Sequence, residues 1–97
     1  MLAQQETIFN TISQQLQIPA DSLIQLSLRH FLKYKLRLID IEIFEICGRY
    51  DVANVEEMDE RYQNGTLDEE NSWRDLQRLD HLEYKHDELL NSINSLS

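Results

Sequence analysis

The sequence predicts an all-α fold, an elongated helical hairpin or bundle with a long central helix and a coiled-coil-like C-terminal helix. Only two glycines and one proline occur in 97 residues, which leaves few turn residues for a sheet or a barrel. Hydrophobic residues make up 41% of the chain and recur mostly at spacings of three and four, the period of a helix. Because a chain of this length buries only a small core, we expect a single domain over residues 1–97 that associates as a homodimer.

The first predicted helix covers residues 6–17. One apolar stripe runs along it, formed by Ile8, Phe9, Ile12 and Leu16. Pro19 then separates this helix from the next, because the residue before a proline avoids helical angles and proline itself suits the start of a new helix.

Two apolar faces run along the predicted central helix, residues 20–50. On a helical wheel with 100° per residue, the first face lies within about 40° of Leu32 and consists of Leu28, Leu32, Leu36, Ile39, Ile43, Ile46 and Tyr50. The second face lies about 100–180° away and consists of Phe31, Tyr34, Leu38 and Ile41. A helix on a one-sided core needs only one such face, so we expect one face to pack within the chain and the other against a second chain. The sequence leaves open which face takes which role.

A strand is the alternative for the middle of this segment. Apolar and acidic residues alternate from Ile39 to Ile43, and isoleucine favours sheets. No other segment of the chain offers a pairing strand, so the helix is the favoured interpretation.

Two further helices are predicted, over residues 54–63 and 68–94. Asn54 and Glu57 have the spacing of a capping box at the start of the shorter one, and Asn64-Gly65 is typical of its end. The longer one is coiled-coil-like, with apolar residues and one histidine at alternating spacings of three and four: Leu79, Leu82, His86, Leu89, Ile93 and Leu96. We expect Asp75 and Arg78 to form an i,i+3 ion pair on its solvated side.

These patterns predict the residues of the oligomer or partner interface. On the central helix they are Phe31, Tyr34, Leu38, Ile39, Ile41, Ile43, Ile46 and Tyr50. On the last helix they are Trp73, Leu76, Leu79, Leu82, His86 and Leu89. Trp73 is included because exposed aromatic side chains are favoured as interface anchors, although core packing would explain it equally well.

The charge distribution favours a basic protein partner. The net charge is −9. Four basic and two acidic residues precede Asp40, whereas five basic and sixteen acidic residues follow from that position onward. Arg29, Lys33 and Arg37 form a basic ridge at i,i+4 spacing, a possible nucleic-acid contact that the negative field of the whole chain disfavours.

No residue pattern indicates an enzyme, a metal or a cofactor, and we expect none of the three. His81 and His86 are five positions apart and so do not share a helix face, and no nucleophile, base or phosphate loop completes a catalytic set. The longest apolar runs are two or three residues, and Cys47 is the single cysteine. We therefore expect a cytoplasmic protein without a membrane segment.

The order of these pieces resembles a known group of proteins. The segments IPADSLIQLSLRHFLKYKLR and EIFEICGRYDVANVEEMDERYQNGTLDEENSWRDLQRLDHLEYKHDELL resemble small prokaryotic antitoxins, the inhibitory halves of toxin–antitoxin pairs. The shared outline is a helix ending at Arg49-Tyr50-Asp51-Val52, a helix over Val55–Met58, a turn at Asn64-Gly65 and an acidic helix over Trp73–Leu90. This chain has Asp51 where the pattern has glycine, and it lacks the N-terminal strand of a ribbon-helix-helix arm.

The resemblance implies a non-enzymatic protein that docks onto a basic effector by laying helices along it. Two alternatives stay open. One is a structural or scaffolding coiled-coil homo-oligomer, and the other is a small DNA-binding transcriptional regulator that uses the basic ridge of Arg29, Lys33 and Arg37.

Overall fold

A computed structural model describes residues 2–67 and 72–96, which form four helices and contain no strand. The helices are α1 (Leu2–Leu16), α2 (Ala20–Tyr50), α3 (Val55–Gln63) and α4 (Ser72–Ser95). The all-α prediction is confirmed, and the alternating stretch from Ile39 to Ile43 is helical. The predicted bounds of α2 agree with the structure, whereas α1 begins earlier than predicted. The predicted start of α4 at residue 68 lies outside the described residues. None of the described helices has the length and apolarity needed to cross a membrane.

Helices α2 and α4 form an antiparallel hairpin. Asp75, near the start of α4, accepts hydrogen bonds from Arg49 and Tyr50 at the end of α2. At the opposite end of the hairpin, Arg29 donates to the carbonyl oxygen of Leu96 over 3.4 Å. The molecule measures 59 × 27 × 18 Å, so the predicted elongated shape is confirmed.

The core lies at one end of the hairpin, where α3 packs beside the end of α2 and the start of α4. It consists of Ile46, Val52, Met58, Leu67, Leu76, Leu79 and Leu82, with Ile39, Ile43, Tyr50, Val55 and Tyr62 packed against it. Met58 and Leu79 are completely buried. From Ile39 to Tyr50 the first face of α2 therefore packs within the chain, whereas Leu28 near its start is exposed.

Helix α1 leaves most of its apolar stripe uncovered. Ile8, Ile12 and Leu16 are exposed and Phe9 is half-buried, because α1 packs chiefly against the first turns of α2. Among the α1 side chains that the structure describes, Ser13 is buried, and its hydroxyl donates to the carbonyl oxygen of Ile18 beyond the end of the helix. The amphipathic pattern thus predicts the helix correctly. Most of the apolar stripe that it identifies nevertheless stays exposed.

The end of α2 is held by a left-handed residue and by a cation from α3. Asp51 has φ 52° and ψ 50°, and the backbone N–H groups of Asp51 and Val52 both donate to the carbonyl oxygen of Cys47. Arg61 donates to the carbonyl oxygens of Tyr50 and Asp51 over 2.7 and 3.0 Å. A positive charge and hydrogen-bond donors at this position satisfy the helix C-terminus.

Asp51 occupies a backbone conformation that suits glycine better. We expect Asp51→Gly to raise the free energy of unfolding by up to about 1 kcal/mol, and Asp51→Val to lower it by about 1–2 kcal/mol. Urea unfolding followed by far-UV circular dichroism measures both changes. Gly65, at φ 70°, is the matched control because Gly65→Ala should lower stability at the other left-handed turn. A less stable Asp51→Gly variant would contradict the left-handed assignment.

Candidate protein-interaction site

An acidic groove lies between α3 and the first half of α4. Its volume is about 470 Å³, and it is lined by Val55, Glu56, Asp59, Trp73, Leu76, Gln77 and Asp80. The four α4 residues recur at spacings of three, one and three, which places them on one side of that helix. The groove thus has an apolar floor and a rim of carboxylates.

Trp73 is the largest apolar group of the groove and is 51% exposed. Its ring packs on Tyr62, with ring centroids 5.5 Å apart and an interplanar angle of 40°. A tilted aromatic pair of this kind stabilises both rings by about 0.5–1.5 kcal/mol beyond their burial. Trp73 is therefore held from one side by Tyr62 while about half of its surface stays open to solvent.

The carboxylates of the groove are not paired with any cation in the part of the chain that the structure describes. Glu56, Asp59 and Asp80 form no ion pair with any residue of the described part of the chain. Among the described residues that line the groove, none is a lysine, arginine or histidine. Three uncompensated negative charges around an apolar floor attract a cationic side chain.

Three capping interactions fix α3 in place beneath the groove. The Asn54 side chain accepts a hydrogen bond from the backbone N–H of Glu57 over 2.9 Å, as the predicted capping box requires. In a capping box the Glu57 side chain accepts from the backbone N–H of Asn54. Here it accepts instead from the backbone N–H of the preceding residue, Ala53, over 3.2 Å. Glu83 on α4 accepts from the backbone N–H of Val55 over 2.8 Å, which ties the start of α3 to α4. The groove walls are thus joined by hydrogen bonds as well as by apolar packing.

The predicted interface residues divide into two sets, and for one set the prediction needs correction. Most of the predicted residues lie in the contacts between α2, α3 and α4 of the same chain, and of these Leu76 also forms part of the groove floor. Ile46, Leu76, Leu79 and Leu82 are buried, and Ile39, Ile43, Tyr50, His86 and Leu89 are half-buried. The physical reason is that α4, an antiparallel helix of the same chain, packs on the part of the first face where these residues lie.

The other set of predicted interface residues is open to solvent. Phe31, Tyr34, Leu38 and Ile41, the second face of α2, are between 42 and 57% exposed. Trp73 is also exposed, but it lies on α4, in the groove. Whether these residues contact a partner stays a prediction.

The basic ridge is less open than the sequence suggests. Arg29 is half-buried and donates to the carbonyl oxygen of Leu96 at the end of α4. Lys33 and Arg37 are exposed and pair with no carboxylate among the residues that the structure describes. Two of the three cations are therefore available, and nucleic-acid binding by the ridge stays a prediction.

Cys47 packs against the core cluster, near carboxylates of α3 and α4. Burial, followed by the charges of Glu83 and Glu57, raises the pKa of the Cys47 thiol, so the thiolate needed for nucleophilic attack is disfavoured. His86 contacts Asp40 over 3.1 Å at the edge of the α2–α4 contact. Within residues 2–67 and 72–96, no group of three histidine, cysteine or acidic side chains is placed to hold a metal ion.

The sequence does not identify the groove. Glu56 and Asp59 are separated from Trp73 and Asp80 by the turn at Gly65 and the start of α4, so their proximity depends on how α3 crosses α4. The one local signal is the spacing of Trp73, Leu76 and Asp80 on one helix side. That spacing indicates that the three residues share one face of α4, but it does not indicate which element packs against that face.

Comparison with known proteins gives one informative match. The model of a family described as "Uncharacterized protein MJ0235 family" matches residues 1–97. No curated protein and no solved structure matches the chain.

Proposed function

We propose that this chain, which belongs to the Uncharacterized protein MJ0235 family, is a non-enzymatic interaction module that binds a basic segment of another protein. The acidic groove between α3 and α4 is the binding site in this proposal. The observation that carries it is the exposed Trp73 side chain beside three carboxylates that have no cation of their own.

The groove chemistry fits an arginine or lysine side chain. A cation over the face of a tryptophan gains about 0.5–2 kcal/mol, with the larger values when water is excluded. The carboxylates of Glu56, Asp59 and Asp80 accept hydrogen bonds from the same cation or its neighbours. Val55 and Leu76 would contact the aliphatic part of such a side chain, because lysine and arginine bury their stems along apolar surfaces.

The charge of the whole chain supports the same class of partner. A net charge of −9 attracts basic proteins over distances of about a Debye length and raises their association rate. Binding should therefore weaken as salt concentration rises. The resemblance to antitoxins suggests a more specific form of this proposal. In that form the basic partner is a toxin whose gene lies beside the gene of this chain, and both proteins act in the cytoplasm. An adjacent nuclease-like or nucleotidyltransferase-like gene, and co-purification of its product, would support that specific form.

The single tryptophan allows a direct binding experiment. We expect a synthetic helical peptide of leucine and arginine to change the fluorescence of Trp73 in a saturable, salt-sensitive titration, and a leucine–glutamate peptide of the same length to leave it unchanged. For variants without the fluorophore, calorimetric titration gives the affinity. Trp73→Ala should weaken binding roughly 30-fold, the effect of a hot-spot aromatic. Tyr84→Ala, an exposed aromatic on the same helix outside the groove, is the control and should bind normally.

A pair of triple variants separates the groove from the general negative field. Glu56→Gln, Asp59→Asn and Asp80→Asn together should weaken peptide binding roughly tenfold. Glu6→Gln, Asp21→Asn and Asp87→Asn remove the same number of charges outside the groove and should have a much smaller effect. Equal weakening by both triples would contradict a groove-specific site and leave only non-specific attraction.

A further inference from the structure

The second face of α2 continues into a longer apolar strip. With Ile24 added, the exposed residues of this strip are Ile24, Phe31, Tyr34, Leu38 and Ile41, at successive spacings of seven, three, four and three. This is the spacing of the a and d positions of a coiled coil. The strip shares no residue with the acidic groove.

The exposed surface of the chain exceeds what a monomer of its mass normally has. The accessible area is 7562 Å² for a chain of 11.6 kDa. A compact monomer of this mass exposes about 5,800 Å². The radius of gyration is 19.6 Å, against about 12–13 Å for a compact chain of this length. The excess area, roughly 1,700 Å², is more than the 800 Å² or so that each partner contributes to an interface of standard size.

The charges beside the strip change sign along α2. Lys35 and Arg37 precede Leu38, whereas Glu42 and Glu45 follow it. Among the described residues, Lys35, Arg37 and Glu45 form no ion pair, and Glu42 stays about half exposed while Arg78 bonds to it. Such a helix is complementary to a reversed copy of itself, because reversal sets the basic half against the acidic half.

Parallel pairing would have the opposite effect. It would place Glu45, which occupies an a position of the strip, against Glu45 of the second copy, and Lys35 near Lys35. Like charges placed opposite one another are destabilising, and a carboxylate pair inside an apolar contact costs more than one in water.

We propose that two copies of this chain associate through the apolar strip of α2, with the two α2 helices antiparallel. The symmetry is a two-fold axis near Leu38, between the basic and the acidic residues, so the same residues serve on both sides of the contact. The acidic grooves of the two copies stay outside this contact, so the dimer would carry two binding sites for basic segments. Self-association does not depend on the proposed groove function, and either proposal can fail alone.

The first test is the mass of the chain in solution. We expect sedimentation velocity at tens of micromolar to show a dimer, and Phe31→Asp or Leu38→Asp to give a folded monomer, with dimer affinity reduced at least a hundredfold. Tyr84→Asp introduces the same charge on an exposed aromatic of α4 and should stay dimeric. A monomeric parent chain, or a dimer that survives both α2 substitutions, would overturn the proposal. Far-UV circular dichroism confirms that the variants fold.

The second test is the direction of the two helices. In a Cys47→Ser background, Ser27→Cys and Gly48→Cys each place one thiol on exposed positions of α2, and a side chain at position 48 meets nothing within 4 Å. The two positions are about 31 Å apart along one helix. We expect a short bismaleimide to cross-link a mixture of the two variants and neither variant alone. Cross-linking of each variant to itself would show a parallel pair and overturn the antiparallel arrangement.

Discussion

Leu79→Ala is expected to lower the free energy of unfolding by about 3–5 kcal/mol. Leu79 is completely buried at the centre of the only core that the described residues form, between α2, α3 and α4. Removing its side chain loses the transfer free energy of the buried carbons and leaves a cavity that the short α3 cannot close without losing its own contacts. A loss of this size is a large fraction of the 5–15 kcal/mol that typically stabilises a domain.

Urea unfolding followed by circular dichroism measures the effect of Leu79→Ala. Leu90→Ala makes the same chemical change on the same helix at a residue that is 40% exposed, and it should cost less than about 1 kcal/mol. Similar losses for the two variants would mean that the α2–α4 contact does not hold the core as described.

Ile46→Asp is the second substitution with a large expected effect. Ile46 belongs to the first face of α2 and is buried against α4, with no cation beside it in the core cluster. Burying an unpaired carboxylate costs several kcal/mol, so we expect the chain to be largely unfolded at neutral pH. Circular dichroism should show the loss of helix.

Ile41→Asp provides the matched comparison on the second face of the same helix. Ile41 is about half exposed in the single chain, so the new carboxylate stays solvated and the chain should fold. A chain that unfolds with Ile41→Asp but tolerates Ile46→Asp would invert the assignment of the two faces.

Much of the helical architecture follows from local sequence signals. Pro19 starts α2, the left-handed Asp51 ends it, and Asn54 caps α3, each through backbone chemistry that neighbouring residues determine. The existence of two apolar faces on α2 follows from the wheel alone. The structure adds that the first face is packed within the chain from Ile39 onward and that the second is exposed.

Contacts between distant segments do not follow from such signals. The sequence predicts an i,i+3 pair of Asp75 with Arg78, and that prediction is wrong, because both side chains bond instead to α2. Asp75 accepts from Arg49 and Tyr50, and Arg78 donates three hydrogen bonds to Glu42. A long-range partner that packing already holds in place costs less ordering entropy than a local pair of two mobile side chains.

The Tyr50 contact shows how packing changes the chemistry of a predicted residue. Burial, followed by the hydrogen bond to Asp75, raises the pKa of the Tyr50 hydroxyl, so the phenol stays a donor. The acidic groove depends on the same kind of long-range placement, since the crossing of α3 over α4 brings Glu56 and Asp59 beside Trp73. The sequence contains the residues of the groove, but it does not predict that they lie close together in the fold.

The division of α2 into a face that holds the fold and a face that meets a second copy is tested most directly by one sedimentation experiment. The parent chain and Ile41→Asp are run side by side at the same concentration. We expect the parent to sediment at twice the 11.6 kDa chain mass and Ile41→Asp to sediment at the chain mass with its helix content retained. Equal masses for the two proteins would contradict the division, and so would an unfolded Ile41→Asp chain.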